Sequence, residues 1–305
     1  MTSRVLQNQS CCLCEASGFS LATDPLSLTI CFGFDTKASS PPVNSHSTAS
    51  DPPRVRLFDL DLVAVDFAQA VTLLVTEATH SGNGAKVVAT PNVDHLVRLD
   101  GMPAFRARYA HADYLFADGM PLVWASRMLG RPLPERVTGS DLTVALCKEA
   151  ARHGWRIAML GGMPGQEATL KALFAKTYPG LQVEIRCPSM QFDPVGAEGN
   201  AAAQWIREYA PQLIFVCLGM PKQETWALHH APALRGGVVL CVGAAMDFAL
   251  GLQRRAPLAV QKSGFEWLWR LGSNPRRLWR RYLVDDRKFL SLLWREWRRS
   301  RDASN

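Results

Sequence analysis

Short apolar runs rich in β-branched residues recur at Lys86–Thr90, Arg156–Leu160, Val183–Arg186, Leu213–Leu218 and Val238–Val242, with a shorter aromatic run at Tyr114–Ala117. Segments with helical spacing lie between most of them, as at Ser140–His153, Gln166–Tyr178 and Asn200–Tyr209. Ser140 and Asp141 open the first of these helices, and Gly154 follows its end as a C-cap. In Val55–Val63, Phe58, Leu60 and Leu62 alternate with Asp59 and Asp61, which reads as one half-exposed strand. Strands alternating with helices predict an α/β domain built on a mostly parallel sheet with helices on both faces. Ligands of such sheets bind in the loops beyond the strands' C-terminal ends.

The pattern divides the chain into three parts. Residues 54–253 form the predicted α/β core, with a Rossmann-like sheet. Residues 1–53 do not conform: Ser39-Ser40-Pro41-Pro42 and the Ser/Thr/Asp/Pro run to Pro53 read as a flexible linker. The apolar stretch Leu26–Phe34 follows Asp24 and Pro25 without a basic region, so a signal peptide is a poor match and a disordered extension is expected. Residues 254–305 read as a basic helical appendage.

Charge sharpens that last boundary. From Arg254 to Asn305, twelve arginines and two lysines stand against five acids, a net +9, so the rest of the chain is −2 against the whole-chain +7. The same segment holds five of the nine tryptophans: Trp267, Trp269, Trp279, Trp294 and Trp297. Leu278, Trp279, Tyr282, Leu283, Leu290, Leu293, Trp294 and Trp297 fall near one helical face, with arginines on the other. Such a tail suits an anionic membrane surface or a helix packed on the domain with a solvated basic face; the two weigh equally before Arg287, and beyond Phe289 the density of Trp and Arg favours the membrane. No apolar stretch reaches the roughly 18 residues a spanning helix needs; Val238–Leu250 is shorter and contains Asp247. Cys147, Cys187, Cys217 and Cys241 sit in largely apolar runs and read as buried thiols, and Cys11-Cys12-x-Cys14 lacks a second ligand cluster.

Four strand ends carry candidate chemistry. Thr90-Pro91-Asn92 places a hydroxyl and an amide at the cleft, although Asn92 also suits a helix cap. Asp118, in Ala117-Asp118-Gly119, is positioned to serve as a general base, although an Asp before a helix is also an ordinary turn residue. Gly161-Gly162 opens a helix where backbone can approach phosphate, and Gly219-Met220-Pro221-Lys222-Gln223-Glu224 echoes it. Together these turns suit a nucleoside diphosphate, with Lys222 neutralising phosphate and Gln223 bonding a base or sugar. Either turn alone is also plain strand-to-helix punctuation. Asp59-Leu60-Asp61 has the letters of a metal motif, but its strand-like alternation argues against metal ligation.

In joint order and spacing these segments resemble the WecG/TagA/CpsF family of bacterial glycosyltransferases (family 26). The likeness runs from about Val55 to about Tyr282. It also draws on Glu135-Arg136-Val137-Thr138-Gly139-Ser140-Asp141, Val242-Gly243-Ala244-Ala245-Met246-Asp247, Arg255-Ala256-Pro257, Glu266-Trp267-Leu268-Trp269-Arg270-Leu271 and Pro275–Tyr282. The resemblance implies an inverting transfer, without metal or other cofactor, from a UDP-sugar to an undecaprenyl-diphosphate-linked saccharide in cell-surface or exopolysaccharide synthesis. N-acetylmannosamine, N-acetylmannosaminuronate and glucose are all compatible donor sugars. It assigns Asp118 as base, Thr90 and Asn92 to the same pocket, Arg136 to the donor phosphates and Gln223 to the substrate. Arg270, Arg277 and Arg280 or Arg281 become appendage arginines. Self-association of the core and peripheral attachment to the inner face of the bacterial cytoplasmic membrane are further implications.

Two rival readings share some of these features. A nucleotide-binding oxidoreductase shares the fold class but wants a G-x-G-x-x-G fingerprint that this chain lacks. A nucleic-acid-binding protein would use the basic tail but leaves the strand-end motifs without a role, so no nucleic-acid partner is expected.

Overall fold

The computed structural model describes residues 51–80, 82, 84–252, 257, 269, 272 and 287–302. The N-terminal extension to residue 50 therefore lies outside the described residues, as do Arg270, Arg277, Arg280 and Arg281.

Eight strands form one sheet: β1 (Arg54–Leu57), β2 (Leu60–Val63), β3 (Lys86–Ala89), β4 (Tyr114–Leu115), β5 (Arg156–Gly161), β6 (Gln182–Arg186), β7 (Leu213–Cys217) and β8 (Val238–Cys241). Their spatial order is β1-β2-β4-β3-β8-β7-β5-β6. Every pairing is parallel except β1 with β2.

The central strands are apolar at nearly every position because both faces are covered. Successive residues serve opposite cores. In β5, Ile157 and Met159 join one core while Ala158 and Leu160 join the other. In β8, Val238 and Leu240 oppose Val239 and Cys241 in the same way. One core is closed by α1 (Phe67–Thr79), α5 (Gly139–His153), α6 (Glu167–Thr177) and α9 (Ala245–Ala249). The other takes α2 (Val93–Asp100), α3 (Pro103–Tyr109), α4 (Met120–Met128), α7 (Ala197–Tyr209), α8 (Lys222–His230) and α10 (Lys288–Asp302).

Helix ends follow capping chemistry. Asp66 and Gln69 form a capping box at the start of α1. Gly154 ends α5 in the left-handed region at φ 64°, as its position in the sequence implies. The start of α5 differs from expectation: Thr138, not Ser140, is the N-cap and accepts from the Asp141 N–H at 3.1 Å.

The Val55–Val63 segment also differs. It is a hairpin of two strands, turned by Phe58 and Asp59 with φ of 54° and 60°. Such two-residue turns normally use Gly or Asn, because a left-handed residue costs about 1–2 kcal/mol. Tertiary contacts hold this one. Phe58 is buried with its ring centroid 5.6 Å from that of Phe289 on α10. Asp59 pairs with Arg106 at 3.2 Å and Arg299 at 3.4 Å, and Asp61 with Arg56 at 2.8 Å. Both acids of the metal-like triplet are thus engaged by arginines.

The helix α10 lies along the hairpin and α2. Phe289 and Leu292 enter the core, and Arg295 reaches Asp100 at 2.7 Å. Its other side exposes Leu290, Trp294 and Trp297, three members of the apolar face expected of the tail. Among the described residues no helix is long and apolar enough to cross a membrane.

Candidate active site

The motif-bearing strand ends are neighbours. In the order β4-β3-β8-β7-β5, five consecutive strands deliver Asp118, Thr90-Pro91-Asn92, Gly243, Gly219 and Gly161-Gly162 to one rim. The helices that follow β3 and β8 leave toward opposite cores, which opens a crevice between those strands.

Backbone bonds lock this rim. The Asp118 N–H donates to the Pro91 carbonyl at 2.9 Å, tying the β4 end to the β3 end. The Val137 N–H donates to the Ala117 carbonyl at 2.9 Å, so Arg136 and Asp118 flank one backbone bridge. Both side chains are partly exposed, and both make interactions. Thr90 is almost fully buried, at 5% exposure. The first turn of α5 presses on it: a Cβ at Gly139 would lie 2.9 Å from Thr90 Oγ1 and 3.3 Å from Val242 Cγ1. Asn92 Oδ1 accepts from the His95 N–H at 3.1 Å, so the cap that its position allows is formed.

The two glycine turns lie side by side, since Gly161 is in register with Cys217. Gly161 has φ 154°, and a Cβ there would stand 2.6 Å from both Cys217 Cβ and its carbonyl oxygen. Gly162 is exposed at φ 95°. Glu167, in the first turn of α6, turns its carboxylate toward the Cys187 N–H at 3.3 Å.

Across the rim, Lys222 is exposed and Gln223 is buried. Gln223 Oε1 accepts from the Gly219 N–H at 3.2 Å and the Gly243 N–H at 2.9 Å, and its Nε2 donates to Glu224 Oε1 at 2.8 Å. Its carboxamide is committed to the protein on both sides. Among the described residues no group of three or more His, Cys, Asp or Glu side chains gathers as a metal site would need.

A model of the glycosyl transferase WecG/TagA/CpsF family matches residues 55–303. The chain belongs to this family. A relative from Bacillus spizizenii, named N-acetylglucosaminyldiphosphoundecaprenol N-acetyl-beta-D-mannosaminyltransferase, is 28% identical over 225 residues, covering 73% of this chain and 84% of the relative. A Staphylococcus aureus protein of the same name is 28% identical over 231 residues, covering 72% and 87%. Membership makes this WecG/TagA/CpsF protein a hexosyl-transferring enzyme and leaves the oxidoreductase and nucleic-acid readings without support.

One group in this transferase had no assigned role in the motif reading. Glu224 is 1% exposed, and among the described residues its Oε2 has no hydrogen-bond partner. The signal was present: the buried stripe of α8 runs Gln223, Glu224, Trp226, Ala227, His230, with an acid among its core positions. Burial pushes the Glu224 carboxyl up from its ordinary 4.5 to about 7, against the opposing pull of the Gln223 amide, its own backbone N–H and Arg98. A raised carboxyl makes the folded state hold the extra proton, so this stability is present below pH 4.5 and lost as pH rises through 7. Glu224→Gln removes the titration. Urea unfolding at pH 4.5 and pH 8 should show the variant gaining about 3 kcal/mol on the wild type between them. A constant difference would place an ordinary carboxyl at Glu224.

Proposed function

We propose that this glycosyltransferase moves a sugar from a UDP donor to a polyprenyl-diphosphate-linked saccharide, with inversion and without a metal ion. The observation that carries the reading is the single rim on which Asp118, Arg136 and the two glycine turns stand along five consecutive strands. Inversion needs one carboxylate to take the acceptor hydroxyl's proton as its oxygen attacks the anomeric carbon. Asp118 takes that role. The bond from that carbon to the diphosphate oxygen breaks on the opposite side, and UDP leaves with the electron pair. The growing charge is offset by Arg136, Lys222 and the backbone donors of the turn at Gly161-Gly162. Thr90 and Asn92 belong to the same pocket as Asp118. The family resemblance adds Arg270, Arg277 and Arg280 or Arg281 of the appendage as further cations for the diphosphate, and these lie outside the described residues.

The lipid acceptor and the N-acetylmannosaminyl donor are first choices because the two relatives' names specify them. The exposed Leu290, Trp294 and Trp297 support a membrane-facing tail, with Arg298 3.7 Å above the Trp294 ring and Arg301 4.7 Å above Trp297. Sedimentation with anionic vesicles tests that part; recovery equal to that with neutral vesicles removes the anionic surface. The deciding experiment measures UDP release from a panel of UDP-sugars, with EDTA present and with or without a short-chain polyprenyl-diphosphate N-acetylglucosamine. Acceptor-dependent release with UDP-N-acetylmannosamine is expected. Release that stops in EDTA overturns the metal-free mechanism, and release from a different donor reassigns the sugar.

A further inference from the structure

Two backbone donors from different turns converge on one atom. The N–H groups of Gly219, after β7, and Gly243, after β8, both point at Gln223 Oε1. A carboxamide is nearly symmetric in shape and turns over with no change in volume. Reversed, its NH2 would face two N–H groups, and both turns would lose their shared acceptor. The group on the far side of the amide fixes the choice. That group is Glu224 Oε1, which accepts from Gln223 Nε2 at 2.8 Å. Glu224 is buried at 1% exposure, and the Arg98 guanidinium of α2 favours its charged form. Arg98 also donates to the Met220 carbonyl of the same turn at 3.4 Å, and Tyr109 contacts His95 Nδ1 at 3.2 Å.

We propose that Glu224 is a positioning residue for sugar transfer: it orients the Gln223 carboxamide, and that amide holds the β7 and β8 turns together at the crevice. Glu224 itself is buried and touches no substrate. The inference rests on the reading of this rim as the donor site, and it deepens that reading by separating the residue that clamps the rim from those that meet the ligand.

The test uses the full chain and two variants. Glu224→Gln keeps an oxygen to accept from Gln223, whereas Glu224→Met keeps the length and removes the acceptor. Hydrogen exchange at the Gly219 and Gly243 amides is read without ligand, and UDP release gives KM and kcat for the donor. Glu224→Gln should keep both amides protected and kcat/KM within about threefold, while Glu224→Met should lose protection at both amides and about tenfold in kcat/KM, mostly through donor KM. Protection retained in Glu224→Met overturns the proposal. So does Glu224→Gln behaving like a loss of function, which stays decisive if the Met variant fails to fold. Wild-type protein that releases no UDP, yet shows the expected exchange pattern in the variants, keeps the clamp and counts against the donor reading instead.

Discussion

Asp118→Asn is expected to lower kcat for acceptor-dependent UDP release by a factor of ~10²–10⁴, the range a positioned general base contributes. The substitution keeps size and shape, and the backbone bond from the residue 118 N–H to Pro91 does not depend on the side chain. Folding and UDP affinity should therefore stay near wild type. The loss belongs to the chemical step, because an amide cannot take the acceptor's proton. Single-turnover rates with donor and acceptor saturating are the measurement. Wild-type turnover in Asp118→Asn would remove the base from this position while leaving the fold and family intact.

Gly161→Ala is expected to cost about 3 kcal/mol of stability, from overpacking and a strained backbone together. The crowding atom is the Cys217 carbonyl oxygen, 2.6 Å from the new Cβ, and it belongs to a central strand that cannot move alone. Gly165→Ala is the matched control: φ is 84° and nothing lies within 4 Å of the added carbon. That variant should pay only for its backbone, about 1–2 kcal/mol. Urea denaturation of both isolates the crowding. The same displacement should raise the donor KM of Gly161→Ala, since the β5 and β7 turns share this contact. Equal destabilisation of the two variants would mean that the close approach is not rigid.

The central strands β3, β5, β7 and β8 were legible because both their faces are buried and they are apolar at nearly every position. The hairpin was not. Phe58 and Asp59 carry no turn signal, and their left-handed backbone is held by Phe289, Arg106 and Arg299, two of which lie more than 200 positions along the chain. Strand-end position likewise named Asp118 and both glycine turns, and the family resemblance named Arg136, without giving the order β4-β3-β8-β7-β5 that makes them neighbours. Gln223 shows a different limit. Its letters are those of a ligand-binding amide, and only the geometry reveals two backbone donors already occupying its oxygen.

The contact between the hairpin and α10 has a consequence for how the chain is made. Arg299 follows its partner Asp59 by 240 residues. At roughly 5–20 residues per second, a ribosome needs on the order of tens of seconds to deliver the second after the first. Through that interval Phe58 lacks Phe289 and Asp59 lacks Arg299. The β1–β2 edge is thus open to wrong pairing until α10 is made, and slower translation lengthens its exposure.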